Sequence, residues 1–119
     1  MTRIALLGAA LVTALALAAP IGAASSVTKL TGTVGPGFTI TLKKGTASVK
    51  TLKAGKYAIT VQDKSNIHNF HLIGPGVNKM ITSITFVGSK TVTLTLKKGK
   101  YTYVCDPHAT SMHGSFTVK

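Results

Sequence analysis

Acidic side chains are almost absent from this 119-residue chain: Asp63 and Asp106 are the only two. General acid–base catalysis needs positioned carboxylates, imidazoles or similar groups, and no nucleophile–base–acid arrangement is visible. An enzyme of that kind is not expected. Arginine occurs once, at Arg3, and cysteine once, at Cys105. A single cysteine rules out an internal disulfide, although small exported domains often rely on several. No window places apolar residues at helical spacing for more than a turn, so the pattern is not that of a helical domain. Beyond the N-terminal segment no apolar run approaches the roughly 20 residues that span a bilayer.

The N-terminal segment is different in kind. Arg3 is the only charge before Lys29, and residues 4–19 are a continuous run of Leu, Ala, Val, Ile and Gly interrupted only by Thr13. The run gives way to Pro20-Ile-Gly-Ala-Ala-Ser-Ser26. A basic start, an apolar centre and small residues at the end form a secretory signal, with cleavage after Ala24 and Ala23 as the neighbouring alternative. Retention as a membrane anchor is the weaker reading, because the run is short for a span. The expected organisation is a signal peptide at 1–24 and one domain at 25–119, exported to a periplasmic, extracellular or cell-envelope location. Removing 24 of the 119 residues leaves 95, enough for a single core.

The remaining part carries thirteen lysines against two aspartates, a formal 13 − 2 = +11. Nucleic acid is the first partner such a balance suggests. Base-reading sites favour arginine and single-strand binders need stacking aromatics, whereas here arginine is missing and the lysines scatter through turns. No nucleic-acid role is expected. A solvated surface attracted to anionic membrane lipid, envelope polymer or an acidic protein fits better.

The pattern of this part is β throughout. Phe38-Thr-Ile-Thr-Leu42, Tyr57-Ala-Ile-Thr-Val61, Val92-Thr-Leu-Thr-Leu96 and Tyr101-Thr-Tyr-Val-Cys105 all alternate at period two. Sixteen threonines lie beyond residue 24, and β-branched residues suit a half-buried pleated surface. Strands are expected at 27–34, 37–43, 47–52, 56–62, 67–73, 80–87, 90–96, 100–105 and 113–118. Turns fall at Gly35-Pro-Gly37, Lys44-Gly45, Ala54-Gly55, Gly74-Pro-Gly76, Gly88-Ser89 and Lys98-Gly99. Seven to nine short strands at this spacing indicate an all-β sandwich or small barrel. Leu52-Lys-Ala-Gly-Lys-Tyr57 is echoed by Leu96-Lys-Lys-Gly-Lys-Tyr101. The echo records either duplicated hairpins or two turns solving one problem.

The chemistry gathers near the C-terminus. Cys105 sits at the end of an alternating strand, with His108 three residues on and Met112 four beyond that. An unpaired cysteine in an exported protein is either an intermolecular bridge or a functional thiol, and metal ligation would protect it from oxidation. Thiolate, imidazole and thioether form a soft donor set, and a trigonal site of two His and one Cys with a weak axial Met holds copper for electron transfer. The second imidazole must come from elsewhere. His68 is in phase with Phe70 and Leu72 on an apolar face, where a polar ring needs a partner. Structural zinc is less apt because Met is a poor zinc ligand. His71 is out of phase with His68, and His113 lies beside Met112, where it is an alternative to it.

These residues resemble the cupredoxins, the plastocyanin–azurin family of blue copper proteins. The resemblance rests on His68-Asn69-Phe70, then Tyr-x-Tyr-x-Cys-x-Pro-His over Tyr101–His108, then Met112-x-Gly114 before the last strand. It implies a Greek-key β-sandwich and one copper ion cycling between Cu(II) and Cu(I). His68, Cys105 and His108 are then the equatorial ligands and Met112 the axial one. It also implies an outer role for Asn69, with its backbone N–H toward the Cys105 sulfur and its side chain tying strand to loop. Asp106, often Ser or Thr in the family, offers a carboxylate to the Asn69 amide.

The implied function is that of a monomeric one-electron carrier between redox partners, not an enzyme. A copper-delivery protein of the cell envelope is the alternative. Plant members have an exposed tyrosine before the cysteine and acidic patches nearby; Val104 and a lysine-rich surface stand here instead. The partner implied is a redox protein with an acidic docking surface, steered by lysines such as Lys64 and Lys79 around an apolar port at His108.

Overall fold

The computed structural model describes residues 27–119 together with residues 10, 13 and 14. The expected signal segment lies outside the described residues apart from those three positions. In chain order the described strands are β1 (Thr28–Val34), β2 (Ile40–Lys44), β3 (Ala47–Ser48), β4 (Thr51–Leu52) and β5 (Gly55–Asp63). They continue with β6 (Phe70–Gly74), β7 (Val77–Thr82), β8 (Gly88–Leu96), β9 (Gly99–Val104) and β10 (His113–Val118). A single 3₁₀ turn, Asp106–His108, lies between the last two.

The strands form two five-stranded sheets, ordered β3-β2-β1-β5-β8 and β4-β10-β9-β6-β7. Pairing is antiparallel except for β1 with β5 and β4 with β10, which are parallel. Alternation drives the packing. Tyr57, Ile59 and Val61 of β5 point inward, as do Phe70 and Leu72 of β6 and Tyr101 and Tyr103 of β9. On the inner face of the second sheet, across neighbouring strands, Tyr101 stacks on Phe116 at 5.2 Å and Phe70 on Tyr103 at 5.7 Å. Each such ring removes a large apolar area from water, roughly 1.5–3 kcal/mol per fully buried side chain. The same alternation carries Asp63, at the end of β5, into the interior.

Several strand boundaries differ from the sequence expectation; β2, for one, begins at Ile40 and not at 37, which leaves Phe38 outside it. Residues 47–52 split into β3 and β4, which join opposite sheets; buried Val49 turns the chain between them. The 67–73 strand begins only at Phe70, so His68 and Asn69 precede it. The following strand runs over Val77–Thr82 and not 80–87, because Pro75-Gly76 closes a tight hairpin that pairs Gly74 with Val77. Residues 83–87 then leave the sheet through a turn in which the Phe86 N–H donates to the Ser83 carbonyl.

The Leu-Lys-x-Gly-Lys-Tyr echo has a local cause. The Tyr57 hydroxyl donates to the Lys53 carbonyl at 2.6 Å, and the Tyr101 hydroxyl to the Lys97 carbonyl at 2.9 Å. In each turn the intervening glycine has positive φ, 157° at Gly55 and 141° at Gly99, a region that side chains disfavour. The repeat therefore encodes the same tyrosine-braced turn twice, once at the start of β5 and once at the start of β9. Both turns lie at one pole of the sandwich. Val34, Asp63, Gly88 and Val104 end or begin their strands at the other, where the site is built.

Candidate metal centre

Cys105 is the first residue beyond β9 and keeps that strand's inward phase, after buried Tyr101 and Tyr103. The loop that follows is closed on itself. The His108 N–H donates to the Cys105 carbonyl at 3.0 Å, and the Met112 N–H to the His108 carbonyl at 2.8 Å. The Cys105 N–H donates to the Met112 carbonyl at 3.0 Å. This last bond joins the two ends of the loop where β9 and β10 begin to pair, His113 opposite Val104.

His68 reaches the same place from the other connection, between β5 and β6. Its ring is fully buried, held by a close approach of the β1–β2 loop. A Cβ at Gly35 would lie 3.2 Å from His68 Cδ2 and 3.0 Å from Ser65 Cβ, and φ there is +71°. Only glycine serves both constraints.

Three donors face one another. The Nδ1 atoms of His68 and His108 are 3.1 Å apart, and Cys105 Sγ lies 3.6 Å and 3.5 Å from them. Metal–nitrogen distances of about 2.0 Å and metal–sulfur distances of about 2.3 Å place neighbouring donors roughly 3.3–3.8 Å apart. The two sulfur–nitrogen sides fall in that range and the nitrogen–nitrogen side is slightly shorter, so the three donors lie close enough together to share one ion. Two imidazole nitrogens and a cysteine sulfur turned toward one point are donors that a cation there would satisfy together. With Nδ1 ligating, the proton sits on Nε2, and His68 Nε2 is buried with no hydrogen-bond partner among the described residues.

Met112 is fully buried beside this cluster on the loop, whereas His113 is exposed and turns its Nδ1 to the Ala109 carbonyl at 3.0 Å. A buried thioether on the loop that carries Cys105 and His108 would extend the soft donor set, which favours copper over zinc.

A polar chain ties the loop to the sheet. The Asn69 side chain donates to Asp106 Oδ2 at 2.7 Å and accepts from the Asp106 N–H at 2.7 Å. Cys105 Sγ has the two imidazole Nδ1 atoms as neighbours. His71, in the outward phase, places Nδ1 3.0 Å from both Asp106 oxygens and Nε2 2.5 Å from Asn78 Oδ1. Burial works against the charged imidazole, but the bonds to Asn78 and Asp106 and the Asp106 charge outweigh it, so the His71 pKa lies above 6.5. Burial likewise pushes Asp106 up, and His71 and Asn69 together pull it below 3.8.

Two residues escaped the sequence reading. Phe38 lies outside β2 and sets its ring edge-on to His68 and His108, with centroids 5.3 Å and 4.9 Å away. It is 60% exposed. The only sequence signal was its place directly after Gly35-Pro-Gly37. Asp63 is 2% exposed; its Oδ1 accepts from the Ser65 N–H at 3.2 Å, and its Oδ2 has no partner among the described residues.

A sandwich with a thiolate and two imidazoles gathered beyond one pole defines a small mononuclear metal protein. Residues 33–119 match the family of copper binding proteins described as plastocyanin/azurin, and the chain belongs to that family. Comparison with curated proteins gives no match. Among solved structures, reduced rusticyanin is 24% identical with a TM-score of 0.57, over 79% of this chain and 81% of that one. Rusticyanin from Thiobacillus ferrooxidans is 24% identical with a TM-score of 0.53, over 79% of each chain. These structures share the fold, a cupredoxin sandwich. The cofactor is one copper ion.

Proposed function

We propose that this protein is an exported one-electron carrier, with His68, Cys105 and His108 as equatorial ligands of a type 1 copper ion and Met112 as the axial ligand. The triangle of two Nδ1 atoms and one Sγ carries the reading. Bound copper supplies a one-electron couple between Cu(II) and Cu(I). The protein's part is to hold the donors still: the loop is closed by its own backbone bonds and tied to β6 and β7 through Asn69, Asp106 and His71. A frame that does not rearrange keeps transfer fast, and the apolar shell with Met112 tunes the potential.

Electrons leave through His108. It is half-buried while His68 and Cys105 are fully buried, and Phe38 covers its edge. The same pole exposes Ile67 at 48%, Ile84 at 41% and Val87 at 58%, an apolar contact surface for a redox protein. Lys64 lies at this pole and Lys79 midway along β7, opposite Leu72. The port itself is apolar, and attraction of an acidic partner acts at longer range through the net charge.

Copper delivery is the rival reading, and burial argues against it. Cys105, His68 and Met112 have no exposed surface, whereas handing over an ion requires ligands that an acceptor can reach. Voltammetry of the copper-loaded, exported protein decides between them. A carrier gives a reversible one-electron wave and retains copper against a Cu(I) chelator. Fast loss to the chelator without a reversible wave would identify a delivery protein.

A further inference from the structure

The sandwich is electrically polar along its length. β5 runs from Gly55 at the tyrosine-braced pole to Asp63 at the copper pole, and nine residues of strand span roughly 26 Å. Both acids, Asp63 and Asp106, lie at the copper pole with Lys64 and Lys90, so its side-chain charge is 2 − 2 = 0. Lys43, opposite Thr31, and Lys79, opposite Leu72, sit at mid-height. Of the thirteen lysines, 13 − 2 − 2 leaves nine in the far half with no acid among them. All are exposed. The β4–β5 turn and the start of β5 contribute Lys53 and Lys56, and the β8–β9 turn and the start of β9 Lys97, Lys98 and Lys100.

The apolar surface runs the other way. Of the seven exposed large hydrophobic residues among the described residues, four, Phe38, Ile67, Ile84 and Val87, are on copper-pole loops, and Val27 lies at the far end. The far pole also holds an open cleft of about 550 Å³, where Lys44, Lys53 and Lys56 meet Thr28, Thr51 and Tyr57. Ammonium and hydroxyl groups around an open cleft suit a phosphate-bearing head group. β1 starts at this pole, so the apolar segment preceding it in the sequence is joined to the basic end and not to the copper end.

We propose that the far pole is a docking surface for an anionic lipid bilayer, with its lysines against the head-group phosphates and the copper pole turned outward to its redox partner. Charge complementarity supplies the attraction and its one-sidedness the orientation: the neutral pole is not drawn to the membrane, and the basic pole has almost no apolar surface to insert. The inference concerns the charge distribution of the fold and does not depend on which residues ligate the metal.

Co-sedimentation with vesicles tests it, using the exported, copper-loaded protein. The probes are vesicles of phosphatidylcholine alone and of phosphatidylcholine with phosphatidylglycerol, with soluble polyphosphate as a third arm. The protein binds the anionic vesicles only, and binding weakens as salt rises. Each basic residue near such a surface contributes about fivefold in affinity, so the triple variant Lys53→Gln, Lys56→Gln, Lys98→Gln binds on the order of a hundredfold more weakly. The copper-pole pair Lys64→Gln, Lys90→Gln changes binding by no more than about twofold, since it lies outside the surface layer. An unchanged copper spectrum certifies that each variant is folded. Equal binding to neutral vesicles would overturn the proposal, as would equal loss in the copper-pole pair. Retention by polyphosphate with none by vesicles would overturn it in favour of an envelope polymer.

Discussion

Met112 and Cys105 show how much one atom decides at this site. Both sulfurs are fully buried with two imidazoles, and only a soft ion is well served by that set. The thiolate is the strong donor, and the thioether is assigned the weak axial position. Met112→Leu should keep the colour of the copper-loaded protein, because the thiolate remains, and raise its reduction potential, because a donor to the oxidised ion is gone. Voltammetry with a visible spectrum checks this. A bleached Met112→Leu site would contradict the axial assignment and direct attention to His113. These residues were legible because Cys105, His108 and Met112 fall on one short loop and His68 keeps phase with Phe70. Phe38 was not, because its place against the two rings depends on how the β1–β2 loop folds over the pole.

Among elements, the turns and the copper loop each have an identifiable brace. Tyr57 and Tyr101 fasten the two Leu-Lys-x-Gly-Lys-Tyr turns to a carbonyl four residues back. Removing either hydroxyl should cost about 1 kcal/mol, more where the carbonyl is left dry. Urea unfolding of Tyr57→Phe and Tyr101→Phe measures it, with the copper spectrum unchanged because both turns are at the far pole. An effect confined to one variant would mean that the repeated motif does not repeat its energetics. Alternation revealed the strands, and Gly-Lys-Tyr revealed two turns, but β3 and β4 were read as one strand. Their assignment to opposite sheets depends on long-range pairing with β2 and β10 that no local pattern encodes.

The loop's brace is sensitive to pH. The His71 pKa is raised above 6.5, so its contribution is complete below that value and is lost as pH rises through the raised one. The Asp106 pKa is lowered below 3.8, so its contribution is complete above that value and is lost as pH falls through the lowered one. The pair thus stabilises the loop most between the two ordinary values. Both groups are partly exposed, and the effect is correspondingly small. The stability difference between the parent protein and His71→Gln should shrink as pH rises above the His71 pKa. Urea midpoints across pH measure it, and a difference independent of pH would mean that His71 acts by packing alone.

At the scale of the whole molecule the fold separates two surfaces, an apolar pole around His108 whose few charges cancel and a lysine-rich pole at the opposite end. Composition disclosed the net charge of +11 beyond residue 24 but not this division, which arises only when the strands are brought into register. Of the two lysines expected around the port, Lys64 is at that pole and Lys79 lies midway along β7. The central claim, that the buried donors hold one copper ion through a thiolate, meets its most direct test in the visible absorption of the copper-loaded protein beside Cys105→Ser. One copper per chain and an intense thiolate-to-copper charge-transfer band, lost in the serine variant because a hydroxyl is a hard and weakly acidic donor, is the predicted result. A colourless Cu(II) complex, or tight stoichiometric zinc, in correctly folded protein would contradict it.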